Sequence, residues 1–383
     1  MELAERRKRY QAIEDFRKRP LIVYATSTRL GIGGQMSGDA VREFMDQIDA
    51  VSVEKRVDIL IHSTGGDALA AWKLMSMFRE KFDEVAVLVP FMAFSAATLF
   101  TLGADEIVMH PHASLGPIDP QVTITSPDGT RRQFSYEDVG AFLRFLVDEV
   151  HITEQVHISA IVDRLFSTVD PLNVGAAKRA SELSSSVGER LLLMHMKSSE
   201  DKARARQIAE NLNKSFFAHG DAVSRSRARE LSLKVAPSNP TLEALLWEAY
   251  LGIEGYMELR KPFSALQHYL ADPQASARLR PIAPLLLPPN APPQLAQKVW
   301  ETAAQQALGG LGGAAVEVEY SVVNALIEST RTASEFRTKG RLSGQRAFSG
   351  EIQLTGTDTE GSWRRTDTPS SPTPNPSRGA ASA

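Results

Sequence analysis

The chain has 383 residues, 43% hydrophobic and 23% charged, with a formal net charge of −3. That is the composition of a folded globular protein, and the charge gives no global reason to expect nucleic acid or an anionic membrane as partner. The absence of cysteine excludes disulfides, thiolate metal sites and a cysteine nucleophile.

No apolar run approaches the roughly 20 residues of a membrane span, so no integral membrane segment is expected. The charged start, MELAERRKRYQAIEDFRKRP, lacks the apolar core of a signal peptide, and a cytoplasmic protein is expected. Residues 1–19 read as a surface helix or arm, and Leu21 to Ala25 as a short buried strand. The glycine cluster Gly31 to Gly34 has no lysine at phosphate-loop spacing and reads as a loop. Gly38 to Ile48 has helical spacing.

Two crossover units follow. Val57 to His62 reads as a strand and Ala68 to Lys81 as a helix, with Leu69, Trp72, Met75 and Phe78 on its buried side. Val85 to Val89 is the next strand, Ala96 to Leu102 the next helix and Glu106 to Met109 a third strand. Strand, small-residue turn, helix and strand in repetition are the mark of a parallel sheet. The fold class is therefore α/β, with βαβ units. Residues 136–213 read as a helical insertion, and Ser224 to Leu231 as a short helix. Residues 1–235 then form one domain, 236–354 a small C-terminal accessory region with a proline-rich linker at Pro281 to Pro293, and 355–383 a disordered tail.

The candidate chemistry lies in the two turns. Ser95 follows an apolar run and precedes small residues that open a helix, where free N–H groups and the helix dipole favour negative charge. The Ala96 N–H stands where an oxyanion formed by attack of Ser95 would need a donor. Taken alone, such a serine is more simply a helix N-cap. Gly65 and Gly66, at the end of the neighbouring strand, alter that balance. Glycine permits φ > 0 and close approach of backbone to a ligand, so the pair offers a second oxyanion donor and a place for an extended peptide. Ligands of open parallel sheets bind outside the carboxyl ends of the strands, where both turns fall. The chain has eight histidines, and composition alone does not choose the base among them. His62 reads as structural. His110 and His112 read as loop residues, and no metal site or cofactor is expected. His151, His157 and His195 fall on helical stretches.

In order, STGGDALAAWKL, VPFMAFSAATLFTLGADEIVM and HASLGPIDPQ resemble the Clp-fold serine peptidases, above all the serine dehydrogenase proteinase family, relatives of ClpP and of signal peptide peptidase A. The likeness runs from about Ile59 to Gln121 and resumes at Phe217 to Val235. It implies a Clp/crotonase-like fold and a serine peptidase with a Ser, Asp, His triad in that chain order. Ser95 is then the nucleophile, Asp119 the acid and His219 the base, with Gly65 and Ala96 forming the oxyanion hole and Gly66 binding substrate. Asp221 is a rival acid, and Asp105 reads as structural. Where family members carry glycines after the nucleophile this chain has Ala96-Ala97, which leaves backbone donors in place. The resemblance also implies a homo-oligomer acting on peptides or proteins. Two other readings remain: a crotonase-like enzyme of acyl-CoA thioesters, which needs no serine nucleophile, and a non-catalytic scaffold.

Overall fold

The computed structural model describes residues 1–51, 54–125, 131–167, 169–214, 222–279, 292–295, 297–299, 301, 316–346 and 351–367. The chain opens with helix α1 (Leu3–Arg17), followed by strand β1 (Leu21–Thr26). Helix α2 (Val41–Ala50) leads to β2 (Arg56–His62), and α3 (Ala68–Lys81) leads to β3 (Glu84–Val89). Then come the short strand β4 (Met92–Ala93), helix α4 (Ala96–Leu102) and strand β5 (Glu106–Met109).

Strands β1, β2, β3 and β5 lie side by side and parallel, as the crossover pattern requires. Their sequences are continuous apolar runs because both faces of the sheet are covered. The period of two still sorts the residues. Val57, Ile59 and Ile61 face one core with Val85 and Val87, whereas Leu60 and Leu88 face the other. Asp67 fixes the start of α3, its Oδ1 accepting from the Leu69 N–H at 2.8 Å. The buried side of α3 is rotated from the expected stripe. Leu69 is 52% exposed, and Ala70, Ala71, Leu74, Met75 and Phe78 are buried.

Past β5 the chain forms β6 (Ser114–Leu115), the hairpin β7 (Val122–Thr125) and β8 (Arg131–Phe134), and helix α5 (Tyr136–Arg144), which widens into a π turn over Phe145–Glu149. Helices α6 (Gln155–Phe166), α7 (Pro171–Leu192) and α8 (Ser199–Lys214) follow, then β9 (Val223–Ser224) and α9 (Arg225–Glu230). The region is more than an insertion, since Val187 and Leu191 of α7 share one core with residues of α3 and α4. Helices α10 (Pro240–Met257), α11 (Ala265–Ala271) and α12 (Pro273–Arg278) precede strands β10 (Glu317–Ser329), β11 (Ala333–Arg346) and β12 (Ile352–Arg365).

Three expectations differ from this architecture. Residues 236–354 do not stand apart: β10 pairs antiparallel with β1, and the sheet runs β12-β11-β10-β1-β2-β3-β5. The polar stretch from Thr355, expected to be disordered, continues β12 as far as Arg365, with Thr355 opposite Ser343. Residues 368–383 and the proline-rich stretch 281–291 lie outside the described residues. Nor is α1 a free arm. Tyr10 and Ile13 are buried against Leu246 and Ile253 of α10, and the buried Arg6 pairs with Glu328 of β10, which also accepts from the Tyr10 hydroxyl at 2.7 Å. Among the described residues no helix is long and apolar enough to cross a membrane.

Candidate active site

The carboxyl ends of β2 and β3 are stitched together by the short strand β4. The Ser63 N–H donates to Met92 O at 3.1 Å, and the Phe94 N–H donates to Ser63 O at 3.0 Å. This brings the glycine turn and the serine turn side by side. A Cβ on Gly65 would lie 2.5 Å from Phe94 O, 2.7 Å from Ser95 Cβ and 2.8 Å from Ala96 N. Only glycine permits that approach, and its φ of +102° is one that side-chain-bearing residues rarely adopt. Gly66, with φ +149°, lies equally close to Met36, where a Cβ would come within 2.2 Å of Met36 O. The Met36 N–H donates to Gly65 O at 2.7 Å, and the Asp67 N–H to Met36 O at 2.9 Å.

Ser95 forms the bend from β4 into α4 with φ 53° and ψ −118°. A positive φ on a serine is sparsely populated and costs on the order of 1–3 kcal/mol. The half-buried side chain does not cap α4, and its hydroxyl makes no hydrogen bond among the described residues. The capping role open to this residue from sequence is therefore not the one it fills. A strained serine at a strand-to-helix bend is the arrangement by which a nucleophile is displayed at the top of an α/β sheet. The bend is held from below by Thr98, whose single hydroxyl proton is shared between Ala93 O at 2.7 Å and Gly116 O at 2.9 Å.

Of the two backbone N–H groups expected to serve as donors, Gly65 and Ala96, one is already engaged. The Gly65 N–H is spent on Ser63 Oγ at 3.0 Å, and that hydroxyl also accepts from Thr26 Oγ1 at 2.8 Å. The N–H groups of Gly66 and Ala96 make no hydrogen bond among the described residues. The N–H left open at the glycine turn is thus that of Gly66, not of Gly65.

Asp119 follows β6, which pairs with β4 on one side and β9 on the other. It is half-buried, and its Oδ2 accepts from Gln121 Nε2 at 2.8 Å. His219 and Asp221 lie outside the described residues, in the stretch 215–221. Both sides of that stretch are anchored near the site. Leu212 O of α8 accepts from the Ile118 N–H at 3.0 Å, next to Asp119, and Val223 of β9 pairs with Leu115.

His110 and His195 have structural surroundings. His110 stacks on Trp247 with ring centroids 5.0 Å apart, and its Nδ1 accepts from the His112 N–H at 3.1 Å. His195 reaches Leu102 O at 2.9 Å, while His151 and His157 are exposed. Asp105 accepts from Arg79 Nη1 at 2.6 Å and from the Val85 N–H at 2.8 Å, a structural role as read from the sequence.

His62 is fully buried between Phe91 and Tyr250, with Nε2 3.2 Å from Thr28 Oγ1. Burial pushes its pKa down from 6.5 to about 4. A folded-state pKa below the unfolded value means that folding favours the neutral ring. The associated stability is complete above pH 6.5 and is lost as pH falls toward 4, by up to about 3 kcal/mol. His62→Phe keeps the ring and removes the titration. In denaturant titrations, wild type is expected to lose more stability than this variant between pH 7.5 and 4.5. Parallel pH curves would contradict the assignment.

Parts of the chain are similar to known proteins. Residues 35–130 match the family model of the ClpP-like SDH-type serine proteinases. An uncharacterized protein of Methanocaldococcus jannaschii is 40% identical over 80 residues, which is 21% of this chain and 28% of that protein. A second uncharacterized protein of the same organism is 26% identical over 208 residues, 54% of this chain and 61% of the relative. The chain thus spans about a quarter and about three fifths of the lengths of these relatives. Among solved structures, a 1510-N membrane-bound stomatin-specific protease is 16% identical with a TM-score of 0.35, covering 58% of this chain and 83% of its own. ClpP1 from Listeria monocytogenes is 14% identical with a TM-score of 0.31, covering 61% and 98%. The stretch that carries Gly65, Gly66, Ser95, Ala96 and Asp119 therefore lies within the residues that match the model of the ClpP-like SDH-type serine proteinases.

Proposed function

We propose that the protein is a serine peptidase that hydrolyses peptide bonds through an acyl-enzyme on Ser95. The observation that carries this reading is the strained Ser95 at the mouth of α4, with its hydroxyl unbonded and two unspent backbone N–H groups beside it. Ser95 Oγ attacks the substrate carbonyl while His219 takes its proton. The negative oxygen of the tetrahedral intermediate is held by the N–H groups of Gly66 and Ala96. His219 then gives the proton to the leaving amine, and water, activated by the same ring, releases the acid and restores Ser95. Asp119 orients His219 and stabilises the imidazolium. Asp119 is preferred over Asp221 because it precedes the histidine, in the family's order, and follows β6, which pairs with the strand that leads into Ser95. No cofactor is needed for any step. An extended peptide, paired through its main chain along the glycine turn, fits a site built from strand ends.

The triad is tested by hydrolysis of a fluorescently labelled unfolded protein. His219→Ala and Asp119→Asn should lower kcat by about 10³-fold or more, the scale of loss when a triad member is removed. Asp221→Asn should leave kcat within a few-fold of wild type. If Asp221→Asn abolishes turnover and Asp119→Asn does not, the acid is Asp221.

The same reading includes a homo-oligomer. Helix α6 buries none of its residues, and Val156 and Phe166 on it are exposed, as are Phe145 and Val150 on the preceding turn. This run of exposed apolar side chains is the surface we assign to contact between copies. Val156→Asp combined with Phe166→Asp should shift the sedimenting species to a smaller one with unchanged circular dichroism. Unchanged sedimentation of a wild-type oligomer would place the contact elsewhere.

A further inference from the structure

Beside the glycine turn lies a groove of about 660 Å³ whose far wall comes from the C-terminal strands. One side is the loop from Ser27 to Gln35, with Thr64 at the end nearest Gly65. The other side is formed by Asn324, Ala325, Phe336 and Trp363. The wall is built rather than incidental. A bulge in β10 between Val323 and Ala325 turns Asn324 out of the ladder. Its Nδ2 donates to Gly33 O at 2.7 Å, its Oδ1 accepts from the Thr338 N–H at 3.0 Å, and its main-chain O accepts from the Ser27 N–H at 2.7 Å. Asn324 thereby fastens the glycine-rich loop to the strands and holds the groove open. Gly34 packs so tightly against the bulge that a Cβ would come within 2.3 Å of Asn324 O, whereas a Cβ on Gly33 would meet open space.

The lining combines two aromatic rings with polar residues and the charged side chains of Arg29 and Asp39. Phe336 and Trp363 face each other across β11 and β12 and meet edge to face, with ring centroids 5.8 Å apart. The Trp363 Nε1–H donates to Asp39 Oδ2 at 2.8 Å, which fixes the indole and occupies that carboxylate. Arg29 is neutralised by Glu258 at 2.9 Å and held by Lys261 O at 2.6 Å. An apolar ring or branched chain gains contact with two aromatic faces here, while Arg29, already paired with Glu258, offers no free charge to an anionic side chain. Successive residues of an extended peptide advance about 3.3 Å, so a chain lying along the glycine turn is carried past Thr64 into this groove within a few residues.

We infer that this groove is a specificity subsite, which receives an aromatic or large aliphatic side chain of the peptide a few residues from the scissile bond. The inference rests on the peptidase reading and adds to it a role for β10 to β12, which lie outside the matched segment 35–130. The C-terminal strands thus select substrate for a catalytic turn that residues elsewhere in the chain provide.

The experiment uses the full chain and two variants. Gly33→Trp adds bulk to the lining loop at a position where a Cβ meets nothing within 4 Å, and Trp363→Ala removes part of the opposite wall. Each protein is incubated with a mixed tryptic peptide library, the cleavage sites are mapped by mass spectrometry, and Ser95 labelling by a small fluorophosphonate is timed alongside. Wild type should show enrichment of Phe, Tyr, Trp, Leu or Met at one fixed distance from the cut. Gly33→Trp should reduce that enrichment at least tenfold while labelling at the wild-type rate. Trp363→Ala should weaken it by several-fold. Enrichment that survives Gly33→Trp, or cleavage by wild type without such enrichment, overturns the subsite. Absence of labelling in wild type would refute the peptidase reading separately. The groove is then judged by fluorescence anisotropy with a fluorescein-labelled Phe-rich decapeptide. Binding to wild type at least tenfold tighter than to Gly33→Trp supports the subsite, and equal or absent binding overturns it.

Discussion

Ser95→Ala is expected to abolish peptide hydrolysis, lowering kcat by about 10⁴ to 10⁶-fold, the scale seen when a serine nucleophile is removed from an assembled triad. The size of the effect distinguishes three chemistries. A thioester enzyme that only polarises a carbonyl with backbone donors would keep most of its rate, because the donors at Gly66 and Ala96 are main chain and survive the substitution. A scaffold would have no rate to lose. Stability gives a second signature. Ser95 sits at φ 53°, so alanine at this position inherits the same backbone strain and gains nothing from release of a cap, because no cap bond exists. The melting temperature should therefore stay within a few degrees of wild type while activity disappears, as measured by calorimetry on the protein used for the assay.

Gly65→Ala carries the second large effect, by a different route. The new methyl group would have to occupy space 2.5 Å from Phe94 O and 2.8 Å from Ala96 N, at a φ of +102°. Backbone on both sides must move, and the atoms that move are those that place Ser95 and the Ala96 N–H. A misplaced oxyanion donor alone costs about 10²–10³-fold in kcat. The strained backbone should add a loss of about 1–3 kcal/mol in stability. Gly33→Ala is the control, since its Cβ meets nothing within 4 Å. It should be neutral in urea denaturation and in turnover. Equal behaviour of the two alanine variants would mean that the close packing of the glycine and serine turns does not govern the chemistry.

The parts of this site that were legible in sequence are those where one residue type is forced. The turn at Gly65-Gly66 admits nothing larger, and the small residues after Ser95 are required by a helix buried along its whole length from Ala96 to Leu102. The parallel strands could be read because they are short apolar runs bounded by such turns. Which glycine donates could not be read. That depends on Ser63 Oγ folding back to take the Gly65 N–H, a bond between residues whose separation says nothing of side-chain direction. The same holds for α3, where Leu69 fits the helical spacing yet points to solvent, because small Ala70 and Ala71 let the helix approach the sheet closely.

The C-terminal strands were hidden for another reason. Residues 352–365 are rich in Thr, Gly and charge and bury little on their own, and they become a strand only because β11 offers a matching edge. The docking of α1 is likewise invisible locally. Arg6 and Glu328 are 322 residues apart, and each looks like a solvated surface residue until the buried pair is formed. A pair of this kind contributes through position more than through net energy, since desolvation offsets much of the attraction.

The measurement that bears most directly on the central claim is the site of covalent capture by a fluorophosphonate. The wild-type protein is treated with the reagent, its intact mass is determined, and the modified residue is found by tandem mass spectrometry. One phosphonyl adduct on Ser95, slowed strongly in His219→Ala, is the predicted result. An unmodified Ser95 in folded protein, or an adduct that forms on another serine at the same rate, would contradict it.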